Sequence, residues 1–447
     1  MKQSNRTDPP MISWLLNIVY LTLVAAASPF LVWSAITKGK YREGFAEKFL
    51  GNVPVRPADS PQHLWLHAVS VGEVNLLTPL MQAISQAHPG TTFHITTTTK
   101  AGYDLAQTKY AQHTVSYAPL DFSWGVANAY RRIRPDVVLL AELELWPNLI
   151  RFAKRFDAHI AIVNGRLSPK SHRGYRRLSW LVRPLLRKLN LIAAQDETYA
   201  ARFRDLGADP TAVQVTGSIK FDGITPDRNN PQSLAFRELA GLHPDDIVWL
   251  AGSTQAGEEP IVLAAYRQAR QQIPNLKLLL VPRHPHRFDE VAQLLAAEGE
   301  RFARRSQLNE PLSSDVPVLL VDSVGELSAW WGTADIAFVG GSLGNRGGQN
   351  MIEPAAYGSA VAVGPNTWNF KDVVERLQAA EALTVIHDAD SLAQFVKQAA
   401  ADRSWRNEQG ERAQEVVLQQ QGATARTLTV LAPLLEQPTI VKFRSAA

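Results

Sequence analysis

The sequence predicts an α/β protein of two parallel-sheet domains behind an apolar N-terminal helix. Three observations carry that expectation. Short β-rich runs alternate with helical patterns along most of the chain. A polar stretch rich in Pro, Asp and Asn, residues 221–246, interrupts the rhythm near the middle. Met11 to Trp33 contains no charged side chain. With 447 residues and 45% apolar content, the chain has material for two ordinary cores.

The N-terminal run, MISWLLNIVYLTLVAAASPFLVW, exceeds the ~20 apolar residues that cross a bilayer as a helix. Trp14, Tyr20 and Trp33 suit interfacial positions. Ala25-Ala26-Ala27 resembles a signal-peptide cleavage site, but the apolar run continues through Phe30, Leu31, Val32 and Trp33, which favours an uncleaved anchor. Lys38, Lys40, Arg42 and Lys48 follow it and outnumber Lys2 and Arg6 before it. The positive-inside rule then places the main body in the cytoplasm.

Strands are expected at 63–69, 92–99, 114–120, 136–142, 159–165, 191–196 and 213–219, then at 247–253, 277–283, 316–322, 336–341 and 360–365. Continuous apolar strands separated by helices imply parallel sheets covered on both faces. The expected division is an anchor at 1–40, a first Rossmann-like domain at 41–220, a linker at 221–246 and a second such domain at 247–447, with the two sheets facing a cleft. In such sheets ligands bind beyond the carboxyl ends of the strands.

Absence of cysteine excludes disulfides, thiolate metal sites and thiol nucleophiles. A net charge of +4 is too small to argue for nucleic acid. No repeat or low-complexity tract is visible.

The candidate site residues fall at strand ends. Glu73, in WLHAVSVGEVNLL, lies just past the first strand, where a first-turn acid also suits the helix dipole. AELELWPNL (141–149) carries Glu142 and Glu144; on a continuing strand they point to opposite faces. VTGSIKFD (215–222) supplies Lys220. In VPRHPHRF (281–288), Arg283, His284, His286 and Arg287 suit a phosphate, whereas no carboxylate-rich motif accompanies the histidines to argue for metal. DSVGELSAWWG (322–332) puts Gly325, Glu326 and Leu327 at a helix start. In GGSLGNRGGQNMIEPAAYG (340–358) glycines allow close backbone approach to a ligand. Asn350 is expected to cap the following helix, leaving its N–H groups for a phosphate, with Glu353 available to ribose hydroxyls. Arg166 to Asn190 holds eight Lys/Arg and no acid. Beside an anchor, Arg173, Arg176 and Arg177 then form a candidate patch for anionic lipid headgroups.

Taken together, HAVSVGEV, TTTTKAGYDLA, ELELWPNLI, NGRLS, QDETYAARFRDLGA, VTGSIKFD, AGSTQAGEE, VPRHPHRF, DIAFVGGSL, GGQNMIEPAAYG and GPNTWNFKD resemble, in order, the 3-deoxy-D-manno-octulosonic acid (Kdo) transferases of Gram-negative bacteria. The resemblance runs from the anchor to about residue 380. It implies a GT-B glycosyltransferase of the inner membrane, inverting, with CMP-Kdo as donor, the lipid A precursor (lipid IVA) as acceptor, and no cofactor or metal. The first domain would take the acceptor and the second the nucleotide sugar. The family's base falls on Glu73 and its transition-state stabilisers on Glu142 and Lys220. Its CMP contacts fall on Arg283, His284, Gly325, Glu326, Leu327, Asn350, Met351, Ile352 and Glu353. One departure is Gln349, where the family often has His; Gln can donate a hydrogen bond but cannot titrate. A GT-B sugar-nucleotide epimerase would share the second-half loops but has no use for an anchor. A secreted two-lobed binding protein would explain the Ala-Ala-Ala site but not the glycine loop.

Overall fold

The computed structural model describes residues 10–38, 43–57, 60–224 and 227–436. Lys2, Arg6, Lys40 and Arg42, invoked for orientation, lie outside these. The chain divides into two units, Met1–Asp222 with Gln421–Ala447, and Gly223–Gln420.

The first unit holds β1 (Gln62–His67), β2 (Thr91–Thr97), β3 (Thr114–Tyr117), β4 (Val137–Ala141), β5 (His159–Gly165), β6 (Leu191–Ala194) and β7 (Val213–Val215). They pair in parallel in the order β3-β2-β1-β4-β5-β6-β7, with Trp65 opposite both His94 and Val138. Side-chain alternation covers both faces. Trp65, Val138, Leu140 and Ile160 enter one core, while Leu64, Leu66, Leu139 and Ala161 enter the other. The strand order reverses between β1 and β4, and the carboxyl ends of those two strands carry Glu73 and Glu142.

The second unit holds β8 (Ile247–Thr254), β9 (Leu276–Pro282), β10 (Phe302–Arg304), β11 (Val318–Leu320), β12 (Ile336–Val339), β13 (Ala360–Val363) and β14 (Thr384–Val385). Their order is β10-β11-β9-β8-β12-β13-β14, again all parallel. Here the reversal lies between β8 and β12. The glycine-rich loop leaves the carboxyl end of β12, and Gln255 follows that of β8.

Two expected boundaries move. The second domain does not run to the C-terminus, because the Ala423–Leu435 helix returns to the first unit. It buries Ala423, Thr427, Leu431 and Leu435, spaced four apart on one stripe, and three of these join the core beside Leu64 and Ile219. Asp222 accepts the Gly422 N–H at 2.7 Å and also that of Thr424, and Gln62 reaches the Leu435 carbonyl at 2.6 Å. The expected linker is largely folded as well. Its Pro231–Leu239 helix is capped by Asn230 and stacks Phe236 on Trp330 at 4.4 Å, so it belongs to the second unit.

Pro10–Lys38 forms one helix, and its Met11–Phe30 portion is long and apolar enough to cross a membrane. Trp14 and Trp33 are exposed as interfacial residues should be. Tyr20 is not; its hydroxyl donates to Asp121 at 3.0 Å.

Candidate active site

Ser70 ends the extended chain after β1 and caps the Val71–Ala87 helix, its hydroxyl accepting the Glu73 N–H. Glu73 reciprocates, accepting from the Val69 N–H at 2.6 Å and the Ser70 hydroxyl at 3.0 Å. A purely structural first-turn acid would make these same bonds. What distinguishes Glu73 is its company. Burial pushes its carboxyl above the ordinary range, the Glu142 charge adds to that, and Lys220 pulls the other way.

The condition for Glu142 and Glu144 to point to opposite faces, a continuing strand, is not met. Strand β4 ends at Ala141, and Glu142 adopts a left-handed backbone with φ 56°, so alternation no longer applies. Glu144 feels the charges of both Glu73 and Glu142; burial chiefly, with those two carboxylates, pushes it up to about 7 despite a 2.6 Å hydrogen bond from the Trp146 indole. Three carboxylates thus gather at the topological switch point.

Lys220 is not a solvated lysine. Its Nζ lies 2.7 Å from Glu142 Oε1, with both side chains about a quarter exposed. The Ile219–Phe221 turn that carries it is held by Asn164, whose Oδ1 accepts the Ile219 N–H at 3.0 Å. Asn164 is fully buried and left-handed, with φ 54°. Sequence reasoning missed it, although Asn is a residue type that tolerates this conformation at a strand end.

The basic window folds as two short helices, Pro169–Arg177 and Ser179–Leu186. Arg173, Arg176 and Arg177 are exposed, and none forms an ion pair among the described residues. Trp180 beside them is 72% exposed. Tyr175, on the inner side of the first helix, feels the charge of Glu144, so the patch adjoins the carboxylate cluster.

In the second unit, Glu353 draws the expected segments together. It is half-buried, and desolvation raises its carboxyl, while Asn350, Ser328 and the charge of Arg283 lower it. Asn350 does not occupy the expected cap position. The helix begins at Ile352 after Met351, and Asn350 accepts the Ile352 N–H at 3.1 Å while donating to Glu353 at 2.9 Å. That N–H is therefore taken, and the helix is only five residues long.

Two further side chains of these segments are engaged within the protein. Glu326 is held by Arg305 at 2.9 Å and Ser323 at 2.6 Å, so its carboxylate is a local brace; Gly325 beside it is left-handed with open space where a Cβ would stand. Arg287 is buried between Glu259 and Glu290, leaving Arg283 as the exposed arginine of that segment. His284 stacks on His286 at 5.3 Å; burial first, then the charges of Arg283, His286, Arg346 and Arg287, hold its pKa down. Arg346, from the glycine loop, joins this cationic group without having been singled out.

The glycine loop also has an unforeseen internal partner. The Glu258 carboxylate, buried at the start of the Glu258–Arg270 helix, accepts N–H bonds from Gln255, Gly341, Ser342 and Leu343 at 2.7–3.0 Å. Those amides are thus not open to a phosphate. Gly341 is left-handed, with φ 68°, where a side chain would be strained. Among the described residues no group of three or more His, Asp or Glu is placed to hold a metal ion.

Residues 41–223 match the family model described as 3-deoxy-D-manno-octulosonic-acid transferase (kdotransferase). A 3-deoxy-D-manno-octulosonic acid transferase of Haemophilus influenzae is 34% identical over 426 residues, covering 94% of this chain and 98% of its own. One from Bordetella pertussis is 35% identical over 426 residues, covering 92% and 98%. Among solved structures, a glycosyltransferase from Rickettsia africae aligns with a TM-score of 0.55 at 12% identity, over 84% of this chain and 99% of its own. That likeness supports a GT-B fold built of two Rossmann-like domains.

Proposed function

The chain belongs to the 3-deoxy-D-manno-octulosonic acid transferase family and is a Kdo glycosyltransferase, and from that premise we propose that it moves Kdo from CMP-Kdo to a lipid A precursor, with inversion, at the cytoplasmic face of the inner membrane. The observation that carries the assignment of roles is the carboxylate cluster with Lys220 at the first unit's switch point.

In this reading a hydroxyl oxygen of the lipid attacks the anomeric carbon of Kdo. The bond from that carbon to the phosphate oxygen breaks, and CMP leaves with the electron pair. Glu73 takes the hydroxyl proton. Its oxygens already accept from Val69 and Ser70, but a carboxylate has about four acceptor positions, so a substrate hydroxyl can still be engaged. A pKa raised by burial makes it a stronger base than a solvated carboxylate. Lys220, anchored by Glu142, supplies positive charge as the leaving phosphate becomes negative, and Glu142 balances the developing oxocarbenium ion.

Nucleotide binding is assigned to the second unit. Arg283 and His284 meet the phosphate, and the segments at Gly325, Glu326 and Leu327 and at Asn350, Met351, Ile352 and Glu353 take the rest of CMP. Glu326 serves there through its backbone, since its carboxylate is engaged. No metal is proposed. The helix Pro10–Lys38 and the exposed arginines hold the enzyme at the membrane that contains its acceptor.

The test is incubation of the full chain with CMP-Kdo and lipid IVA, followed by mass measurement of the lipid. A gain of whole Kdo residues with equimolar CMP release, undiminished by EDTA, is expected. An unchanged lipid alongside intact CMP-Kdo would refute the donor–acceptor assignment.

A further inference from the structure

The apolar helix Pro10–Lys38 does not stand away from the first unit. Ser13, Leu16, Asn17, Tyr20 and Val24, spaced three and four apart, form its half-buried or buried stripe. Within that stripe Asn17 exchanges two hydrogen bonds with Ser123, Nδ2 to the hydroxyl at 2.8 Å and Oδ1 from the backbone N–H at 2.9 Å. Tyr20 donates to Asp121 at 3.0 Å and packs edge-on against Phe122 at 6.0 Å. Asp121 is itself buried and accepts the N–H groups of Asn148 and Leu149, both at 2.9 Å. Asn17 and Tyr20 thus spend their polar groups on the first unit, whereas Thr22, Ser28 and Thr37 bond the helix's own carbonyls.

Chain length then limits where the helix can go. About seven residues precede Asn17 in the helix, some 10 Å of rise, and Tyr20 to Lys38 spans about 27 Å. Lys38 is only five chain steps from Glu43, at most about 18 Å. Glu43 is fixed to the first unit by Lys100 and Tyr117. Ser34, near the far end, is buried too. A helix held to its domain at Asn17 and Tyr20, and tied back to that domain within five residues of its end, leaves little free length to traverse a hydrocarbon core of about 30 Å.

The outer surface is of another kind. Met11, Trp14, Leu15, Ile18, Leu21, Leu23 and Phe30 are exposed. The unit itself continues that surface. Phe122 stacks on Trp124 at 4.7 Å and on Phe49 at 6.2 Å, and Phe49 on Phe45 at 6.0 Å, with Trp124, Phe45 and Leu50 exposed. An apolar surface this extensive, without a charged side chain between residues 11 and 33, is a lipid-facing surface rather than a water-facing one.

We infer that the helix lies in the plane of the membrane, seated in one leaflet and clamped to the first unit by Asn17 and Tyr20, with Phe45, Leu50 and Trp124 entering the same leaflet. The bilayer contacts the catalytic unit directly, and the helix sets its height and tilt. This inference rests on the membrane association proposed above, and the experiment separates the two.

The chain has no cysteine, so single thiols can be introduced. The full-length protein carrying Ser4→Cys, ahead of the helix, or Gln107→Cys, on the exposed surface of the first unit, is bound to preformed sealed vesicles of phosphatidylethanolamine and phosphatidylglycerol. An impermeant maleimide is added outside. In-plane seating predicts that both thiols react fully before detergent is added. A spanning helix would expose Gln107→Cys and protect Ser4→Cys until the vesicles are opened, which overturns the inference. A second variant, Asn17→Cys with Ser123→Cys, should be joined by a short bismaleimide on vesicles as it is in detergent; loss of cross-linking on vesicles would show that the helix leaves the domain. Failure of the parent to float with vesicles would remove the membrane reading itself.

Discussion

Lys220 and Glu142 form an ion pair at 2.7 Å between two elements that meet only through folding, the turn after β7 and the left-handed corner after β4. Each side chain fixes the other. Removing either leaves a partly desolvated charge and misplaces the survivor.

Lys220→Met and Glu142→Gln are therefore each expected to lower the transfer rate by about 10²-fold or more. The double variant should be no worse than the poorer single one, because members of one unit are not additive. Additive losses, measured as kcat at saturating donor and acceptor, would show that the two act separately.

The pH dependence follows from the raised pKa of Glu73. Burial is the main cause and the Glu142 charge reinforces it. A base acts only when ionised, so the rate falls as pH drops through that pKa. The acid limb of kcat/KM should then lie above the ordinary carboxylate value of ~4.3. Glu142→Gln removes a like charge and should move the limb to lower pH. A limb that stays in place, or moves up, contradicts the coupling.

Glu258 neutralises four backbone N–H groups of the glycine loop and its neighbour. Glu258→Ala orphans them in a buried place, and each unsatisfied donor costs about 1–3 kcal/mol before relaxation. The melting temperature should fall and KM for CMP-Kdo should rise, with KM for the lipid nearly unchanged. An unaltered melting temperature and donor KM would show that the loop keeps its shape unaided.

Charge reversal of Arg173, Arg176 and Arg177 tests the exposed patch beside Tyr175. At about 1 kcal/mol per basic residue near anionic lipid, the apparent KM for the lipid acceptor should rise about tenfold or more. That for CMP-Kdo should not. The difference should shrink in high salt, since exposed charges are screened over ~10 Å at 0.1 M. A triple variant that uses acceptor like the parent would make the patch an ordinary solvated face.

Much of this architecture is legible in the residues because parallel strands buried on both faces read as unbroken apolar runs. The strands that escape notice, β10 and β14, are edge strands of three and two residues, too short to carry a pattern. The return of Ala423–Leu435 to the first unit is invisible locally; its apolar stripe says that it packs, not on which sheet. At the site, Glu73, Glu142 and Lys220 are each legible at a strand end, but their mutual geometry is not. The alternation rule presumes a strand, and the chain turns left-handed one residue after the strand stops. Glu258 escaped for the opposite reason. A glutamate in a first turn reads as a partner of the helix dipole, and only the fold brings the 341–343 amides to it.

The central claim is that Glu73, and not its neighbour Glu144 at a pKa of about 7, accepts the acceptor proton. The direct measurement is the single-turnover transfer rate of Glu73→Gln beside Glu144→Gln, with CMP-Kdo binding and the melting temperature as controls. Glu73→Gln is expected to bind donor and stay folded yet lose transfer by about 10²–10⁴-fold, the range for a general base, while Glu144→Gln keeps most of its rate. A loss below tenfold in Glu73→Gln, with the large loss falling on Glu144→Gln, would contradict it.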